Sequence, residues 1–538
     1  MDLYNPLMSS PAPRESERRA GLAAVAGFGV LSVYFTGFFP PWANPNELSR
    51  QEAVYAFVEQ GTFSIDGAIP VLGDHEDKAI SGGHFYSNKA PGLTFAAIPV
   101  YRALRVFFPA PRSPWDAVFV LLRILTVSLL YTVALARFVA RLPAVKGGGL
   151  LVFAVTFGTP LLFYGRSFFG HAWTAALLFL AWDLLKVSEE RPAAGSRLLA
   201  AAVGLLAGWA AISEYTAAPL ALLLALRAAA RGSWKTLALV AAGAAIPLLL
   251  LLSYNAACFG SPWILSSARE ASPDFAKLAG KGFFGFGLPS PRVAWNFLFH
   301  PARGLFLFSP FTIWIAPGFV AWWRSRQDRA DCVFALAAVA GLFVVLTGYP
   351  NWHGGWALGD RYLLPAVFFA GLAAVRALAS PASRGLFAAA AVFSAVNHFF
   401  LAASWPYFSL DLPWPVATGS LWFLSRGWIA PNLLSKSGWI SLLVPAAIVA
   451  AVGWAAVRAA RPSSPRPLVA VGAALVLFAA TLAWAPEPFY DARLLRASVY
   501  GAFSGQDPQR RELQRVILSA STPSEKRRGM AAWRQYGR

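Results

Sequence analysis

The sequence predicts an all-α polytopic membrane protein of about 13 transmembrane helices, with amphipathic surface helices in its first outside loop. Three observations carry this fold class. Apolar residues make up 57% of the 538 residues and charged residues only 13%, about half the share of a soluble protein. Runs such as Leu150–Tyr164, Ala172–Val187, Thr236–Tyr254 and Leu468–Ala485 reach or approach the roughly 20 apolar residues a helix needs to cross hydrocarbon. Between the runs, Arg and Lys fall in short clusters, the pattern of cytoplasmic loops. Backbone facing lipid must satisfy its own hydrogen bonds, so the runs are expected as helices.

Taken in order, residues 1–19 form a basic cytoplasmic segment ending in Arg14, Arg18 and Arg19. A retained signal-anchor follows at Ala20–Phe39, with no small-residue cleavage site. The first outside loop is 40–92, and Ala117–Arg137 returns inward to Arg137, Arg141 and Lys146. Leu150–Tyr164 goes out, and Ala172–Val187 comes back to Lys186, Glu189, Glu190 and Arg191. Leu198–Ser213 and Ala217–Arg227 make another pair. Thr236–Tyr254 opens the second outside loop, 255–303, and Gly304–Trp323 returns to Arg324, Arg326 and Arg329. Val333–Gly348 leads to a short outside loop containing Trp352–Asp360. Tyr362–Ala379, Leu386–Ala403, Trp439–Val457 and Leu468–Ala485 follow, and 486–538 is a charged outside tail. The transmembrane domain is thus 20–485. The formal net charge of +20 resides in the cytoplasmic clusters, so it indicates topology and not nucleic-acid binding. Cys258 and Cys332 have neither metal-ligand nor disulfide-framework spacing.

The first outside loop carries most of the chemistry. Asn44 suits an N-cap, Pro45 the first helical position, and Ala53, Val54, Phe57 and Val58 give one apolar face. With Gly61 as C-cap, this predicts an amphipathic helix over Pro45–Gln60 lying on the membrane surface. Glu47 then has two roles open to it: closing the helix start as a capping-box acid, or serving as a general base. Asp74, His75, Glu76 and Asp77 form a solvated turn or a divalent-cation site. Lys89, before Leu93–Val106, is a snorkelling interfacial lysine or an ammonium held for a phosphate. Glu214, in Ile212-Ser213-Glu214-Tyr215, is a carboxylate among apolar residues, placed by the topology at an outside turn. Tyr349, Trp352 and Trp356 suit sugar stacking or the membrane interface.

Several segments together resemble the GT-C glycosyltransferases, in particular the protein O-mannosyltransferases and the aminoarabinose transferase acting on lipid A. They are the Asn46-Glu47 pair opening an outside helix, the Lys89-Ala90-Pro91 turn, and Tyr164-Gly165-Arg166 through His171. Tyr254-Asn255 with Phe259-Gly260-Ser261-Pro262 also fits, as does Arg303-Gly304-Leu305-Phe306 with Ser309-Pro310. The last is Gly354-Gly355-Trp356 with Gly359-Asp360-Arg361-Tyr362-Leu363-Leu364-Pro365. The resemblance covers about residues 20–485.

It implies an inverting transfer of a sugar from a polyprenyl-phosphate carrier to a glycan, lipid or protein acceptor. The setting implied is the outer face of a bacterial inner membrane, with no nucleic acid, no required cofactor and membrane lipid as partner. Relatives have Asp-Glu where this chain has Asn46-Glu47, and Asn cannot take a proton. Glu47 is therefore the expected base, with Asp66 or Asp77 as alternatives. The resemblance places Lys89, Arg361 and Arg303 at the phosphate and His171 at phosphate or acceptor. Asn46, Arg50 and Asp66 complete the substrate-binding candidates. Two other classes stay open: a transporter or flippase of a lipid-linked sugar, which polar loops disfavour, and a non-catalytic envelope assembly protein.

Overall fold

The computed structural model describes residues 11–37, 44–190, 196–231, 234–280, 285–404, 406–410, 412–461, 466–484, 516–517, 519–520 and 522–536. Most of the expected tail, 486–538, and parts of the two loops expected outside, 40–92 and 255–303, are not among these residues. The main helices are α1 (Pro11–Tyr34), α2 (Pro45–Glu59), α3 (Gly92–Arg105), α4 (Ala117–Arg141), α5 (Gly148–Phe157) and α6 (Gly170–Glu190). They continue with α7 (Ser196–Ser213), α8 (Ala218–Arg231), α9 (Trp234–Phe259), α10 (Pro291–Phe299), α11 (Ile315–Ser325) and α12 (Arg329–Thr347). The last are α13 (Val367–Ala374), α14 (Pro381–Ala403), α15 (Leu443–Ala460), α16 (Arg466–Trp484) and α17 (Pro523–Tyr536).

By length and composition, five stretches among the described residues can cross a membrane: Ala117–Arg141, Trp234–Phe259, Arg329–Thr347, Pro381–Ala403 and Ser435–Ala460. The multi-pass character of the chain rests on these, and a count of 13 is not established. Several expected spans are shorter or broken. The 150–164 run stops at Gly158, before Thr159 and Pro160, and resumes as a single turn at Leu161–Tyr164. The 304–323 run is interrupted at Ser309-Pro310, and Arg361–Ala366 is 3₁₀ before α13 begins. Proline removes a backbone donor at each of these breaks.

The chain is also not purely helical. Lys78–Ser81 (β1) and His84–Ser87 (β2) pair antiparallel, Lys78 opposite Ser87, across Gly82-Gly83. Both glycines have positive φ, 59° and 84°, the conformation a two-residue hairpin turn of matching twist requires. The strands are tied to the second loop by a bridge from Ala79 to Glu270.

Helix α2 corrects a second expectation. Its bounds match, and Gly61 (φ +68°) ends it, with the Thr62 N–H reaching back to the Ala56 carbonyl at 3.3 Å. Yet it is not an amphipathic surface helix. Asn46, Glu47, Ser49, Arg50, Gln51 and Glu52 are buried alongside Leu48, Ala53 and Val54. The polar face points into the protein because acids and bases from other segments are there to meet it. Amphipathic character lies instead in α3, whose buried face is Leu93, Ala97, Tyr101 and Leu104, and in α10, where Phe297 is buried and Trp295 exposed.

Aromatic side chains fill the core. Phe138, Phe179 and Phe368 meet with centroids 4.7–5.6 Å apart, joining α4, α6 and α13. On α6, Asp183 binds Arg137 (2.7 Å) and Arg141 (2.5 Å), and Asp331 of α12 binds Lys186 (2.7 Å) and Arg227 (2.8 Å). Charges on apolar helices are thereby paired. Helices α7 and α9 touch backbone to backbone: a methyl group on Gly204 would sit 1.8 Å from the Val240 carbonyl oxygen, and one on Gly243 1.9 Å from that of Ala201. Gly204→Val should therefore force the helices apart and cost roughly 1–3 kcal/mol. A thermal unfolding midpoint in detergent equal to that of the wild type would contradict this contact.

Candidate functional site

The site begins at the N-terminus of α2. Asn44 caps it in extended backbone, its Oδ1 accepting the Asn46 N–H at 2.9 Å. Glu47 does not complete a capping box. Its carboxylate turns into the protein, accepts the N–H of Phe168, and lies 3.4 Å from the Tyr407 hydroxyl. The side chain is fully buried. Burial pushes its pKa up to about 8, although the Phe168 N–H, Arg123, Arg50 and Tyr407 favour the charged form.

Arg50 lies one turn further on the same helix. It donates to the Asn46 side chain, to the Asn46 carbonyl (3.1 Å), and to Glu214 Oε1 at 3.1 Å. Glu214, between α7 and α8, is the hub of the charges. Burial raises its pKa, while Arg50, Arg361 and Lys89 all pull it back. Three cations from three segments thus act on one carboxyl. Gly170 lets the start of α6 lie against it, since a Cβ there would fall 2.1 Å from Glu214 Oε1.

His171 follows, buried, with Nδ1 3.8 Å from Glu214 and neither ring nitrogen hydrogen-bonded. Its ring meets Tyr362 edge-on at 5.4 Å. Arg361 donates to the Gly354 carbonyl at 2.8 Å and lies over the Phe169 and Tyr362 rings, and its Nε has no partner. Gly354 has φ +67°, and a Cβ there would meet Arg361 Nε at 2.7 Å.

Lys89 binds Asp77 at 2.9 Å, both side chains largely buried. Burial works against the Asp77 charge, but Lys89 holds its carboxyl below the usual range. Glu270 joins from the second loop, accepting from Asn88 at 2.7 Å. Burial, partly offset by Lys89, lifts its pKa to about 7.

Two predicted residues are committed elsewhere. Asp66 accepts from the Phe85 N–H (2.8 Å) and bonds His84 (2.7 Å), so it fastens the hairpin. Arg303 donates to the carbonyls of His353, Gly355 (3.1 Å) and Phe408 (2.8 Å), so it clamps two loops together. Of the four expected cation ligands, three are paired within the protein: Asp77 with Lys89, His75 with Glu52 and Asp74 with Lys78. Among the described residues no group of three or more acids, histidines or cysteines is arranged to hold a metal ion.

A cavity of about 310 Å³ lies beside this cluster, walled by residues such as Leu151, Val155, Phe311, Ile315, Val339 and Leu364. Arg303, Asp360 and His398 are among its few polar residues, and its lining does not include Glu47, Lys89 or Arg361. Asp360 is buried with neither carboxyl oxygen hydrogen-bonded, and burial, against Arg303, raises its pKa.

Asp360 is not among the site residues expected from the sequence, and Glu214 lies outside the expected binding set. The signal for Glu214 was present, a carboxylate between two apolar runs. Asp360 had only its place beside Arg361. Tyr407 and the Phe168 N–H carried no local signal, because what selects them is a contact across more than 100 residues.

No protein-family description and no curated protein matches the chain. Solved structures do. ArnT from Cupriavidus metallidurans bound to undecaprenyl phosphate is similar over 87% of this chain and 80% of its own, at 15% identity and a TM-score of 0.43. The arabinosyltransferase EmbB from Mycobacterium smegmatis matches 86% of this chain, which spans 40% of it, at 14% identity and 0.43. The oligosaccharyltransferase AglB from Archaeoglobus fulgidus, in complex with an inhibitory peptide and a dolichol-phosphate, matches 95% of this chain, which spans 59% of it, at 13% identity and 0.44. With scores below one half, these likenesses leave function to be judged from the site.

Removing one partner of the Arg50–Glu214 pair leaves a buried charge without its hydrogen-bonded counter-ion. Arg50→Met should lower stability by about 3–5 kcal/mol, and the double variant Arg50→Met/Glu214→Gln should regain much of the loss. Thermal midpoints in detergent measure both. A single variant as stable as the double would show that the pair does not anchor the cluster.

Proposed function

We propose that the chain is a membrane glycosyltransferase that moves a sugar from a polyprenyl-phosphate carrier to a glycan, lipid or protein hydroxyl, with inversion. It acts at the outer face of a bacterial plasma membrane, with the N-terminus cytoplasmic. The observation that carries this reading is the buried Glu47 one helical turn from Arg50, which binds the Glu214 carboxyl at 3.1 Å, in a field to which Arg361 and Lys89 also contribute. The sequence resemblance supplies the reaction class, and the site supplies parts suited to it.

The step needs few groups. The acceptor oxygen attacks the anomeric carbon of the sugar while the bond from that carbon to the carrier phosphate breaks. The phosphate leaves with the electron pair, already stabilised as an anion, so no strong general acid is needed. The acceptor proton goes to a Glu47 oxygen. A carboxyl with a pKa near 8 is a better proton acceptor than an ordinary one once ionised, and near the working pH part of it is ionised.

Arg361, with an unpartnered Nε, and Lys89 hold the phosphate charge. Arg50 and Glu214 fix one another and set the potential around it. His171, both of its nitrogens unpartnered, offers a neutral hydrogen-bonding ring to phosphate or acceptor. The apolar cavity suits the isoprenoid chain.

Purified protein supplied with a polyprenyl-phosphate-linked sugar and membrane extract should transfer the sugar and release polyprenyl phosphate. Flipping without bond cleavage, or neither event, would replace this reading with a transporter or an assembly protein. Glu47→Gln should lower transfer by about 10²–10⁴-fold in a folded protein, and normal turnover would remove Glu47 from the base role. The pH dependence has a definite sign. A carboxyl raised to about 8 gains its base form as pH rises, so turnover should climb below that value and level off above it. Lys89→Ala and Arg361→Lys should instead act on the donor KM, by about 10–100-fold. An unchanged KM in both would exclude them from the phosphate.

A further inference from the structure

The far side of α2 carries a hydrogen-bond chain that the transfer step does not use. Glu52, buried, lies 2.7 Å through Oε2 from His75 Nε2. The other ring nitrogen, Nδ1, accepts the Asp77 backbone N–H at 3.1 Å. An imidazole that accepts at Nδ1 carries its proton on Nε2, so His75 is neutral and donates to Glu52. A second chain runs in parallel. Ser49 donates to the Asp77 carbonyl at 2.8 Å and shares a 2.7 Å bond with the Ser87 hydroxyl, which in turn accepts the Lys89 N–H at 3.2 Å. The residue that binds the Lys89 ammonium, Asp77, is thus gripped at both its N–H and its carbonyl by groups anchored on α2.

We infer that Glu52 and His75 are positioning residues that fix Asp77, and through it the Lys89 ammonium, in register with the α2 groups Glu47 and Arg50. The dyad touches neither substrate nor reacting atoms. It sets the distance between the acid end of the site, on α2, and the cation that the 73–92 segment contributes. Because His75 only donates to Glu52, a neutral acceptor at position 52 serves as well as a carboxylate. The acid there is dispensable as a charge and required as an acceptor. The role for Lys89 in donor binding rests on the proposed function, whereas its placement does not.

Two readouts separate these. The first is acylation of Lys89 by an amine-reactive ester, followed by mass spectrometry in the purified full-length protein. His75→Ala and Glu52→Ala should raise the Lys89 labelling rate by about two- to tenfold, the effect of one lost hydrogen bond, and Glu52→Gln should stay near wild type. The second is transfer kinetics with a polyprenyl-phosphate sugar. His75→Ala and Glu52→Ala should raise the donor KM by a similar factor with kcat nearly unchanged, and Glu52→Gln should keep the wild-type KM. A monodisperse Glu52→Gln protein guards against simple misfolding. Wild-type labelling in His75→Ala, or loosened Lys89 in Glu52→Gln, overturns the inference. If the wild type transfers no sugar while labelling follows the expected pattern, the functional reading fails and the positioning role stands.

Discussion

Every part of the site depends on one constraint: α2 carries its charges inward. A short helix that buries Glu47, Arg50 and Glu52 cannot be stable unless each finds a partner, because an unpaired buried charge costs several kcal/mol. The partners come from distant places in the chain. Phe168 and Tyr407 meet Glu47, Glu214 meets Arg50, and His75 meets Glu52. The fold thus has to bring the 73–92 segment, the turn before α6, the turn after α7 and the 404–410 segment to one helix. Satisfying α2 and assembling the site are the same event.

The balance among these charges also decides what each group can do. Arg50 spends its donors on Asn46 and Glu214, and Arg303 spends its own on backbone carbonyls. All three guanidiniums, Arg50, Arg303 and Arg361, keep an unpartnered Nε. Arg361 donates to one backbone carbonyl where Arg303 donates to three, so it commits fewer of its N–H groups, while Arg303 ties together the loops on either side. Glu47 is distinguished in the same way. Asp77 is held ionised by Lys89, whereas Glu47, deeper and with weaker compensation, holds its proton more tightly.

The apolar runs and, to within one residue, the bounds of α2 were legible in the sequence. They follow from local quantities: apolar run length and capping residues. The helix count and the orientation of α2 were not. An apolar run reads alike whether its helix is continuous or broken at a proline, as at Gly158–Pro160 or Ser309-Pro310. The apolar stripe of α2, Ala53, Val54, Phe57 and Val58, read as a membrane-facing surface because nothing local reveals that acids and bases wait for its polar side. The hairpin contacts of Asp66 were hidden for a related reason. Its partners, His84 and Phe85, belong to a hairpin whose Gly82-Gly83 turn was visible but whose strands are only four residues each. Glu214 and Asp360 are defined by what surrounds them in space, which spacing along the chain does not encode.

The distance along the chain between Glu47 and Tyr407 has a consequence for synthesis. The two are 360 residues apart, so at about 5–20 residues per second roughly 20–70 seconds pass between their emergence from the ribosome. Glu214 arrives in the interval and Arg361 shortly before the end. Throughout that time α2 must remain somewhere its acids stay hydrated, at the membrane surface and not within the bundle. The nascent helix would then occupy the amphipathic, interfacial position that its apolar stripe suggests, and only the finished chain draws it inward. A chain that stops before residue 407 leaves Glu47 without its Tyr407 contact, and one that stops before residue 214 leaves Arg50 without its carboxylate.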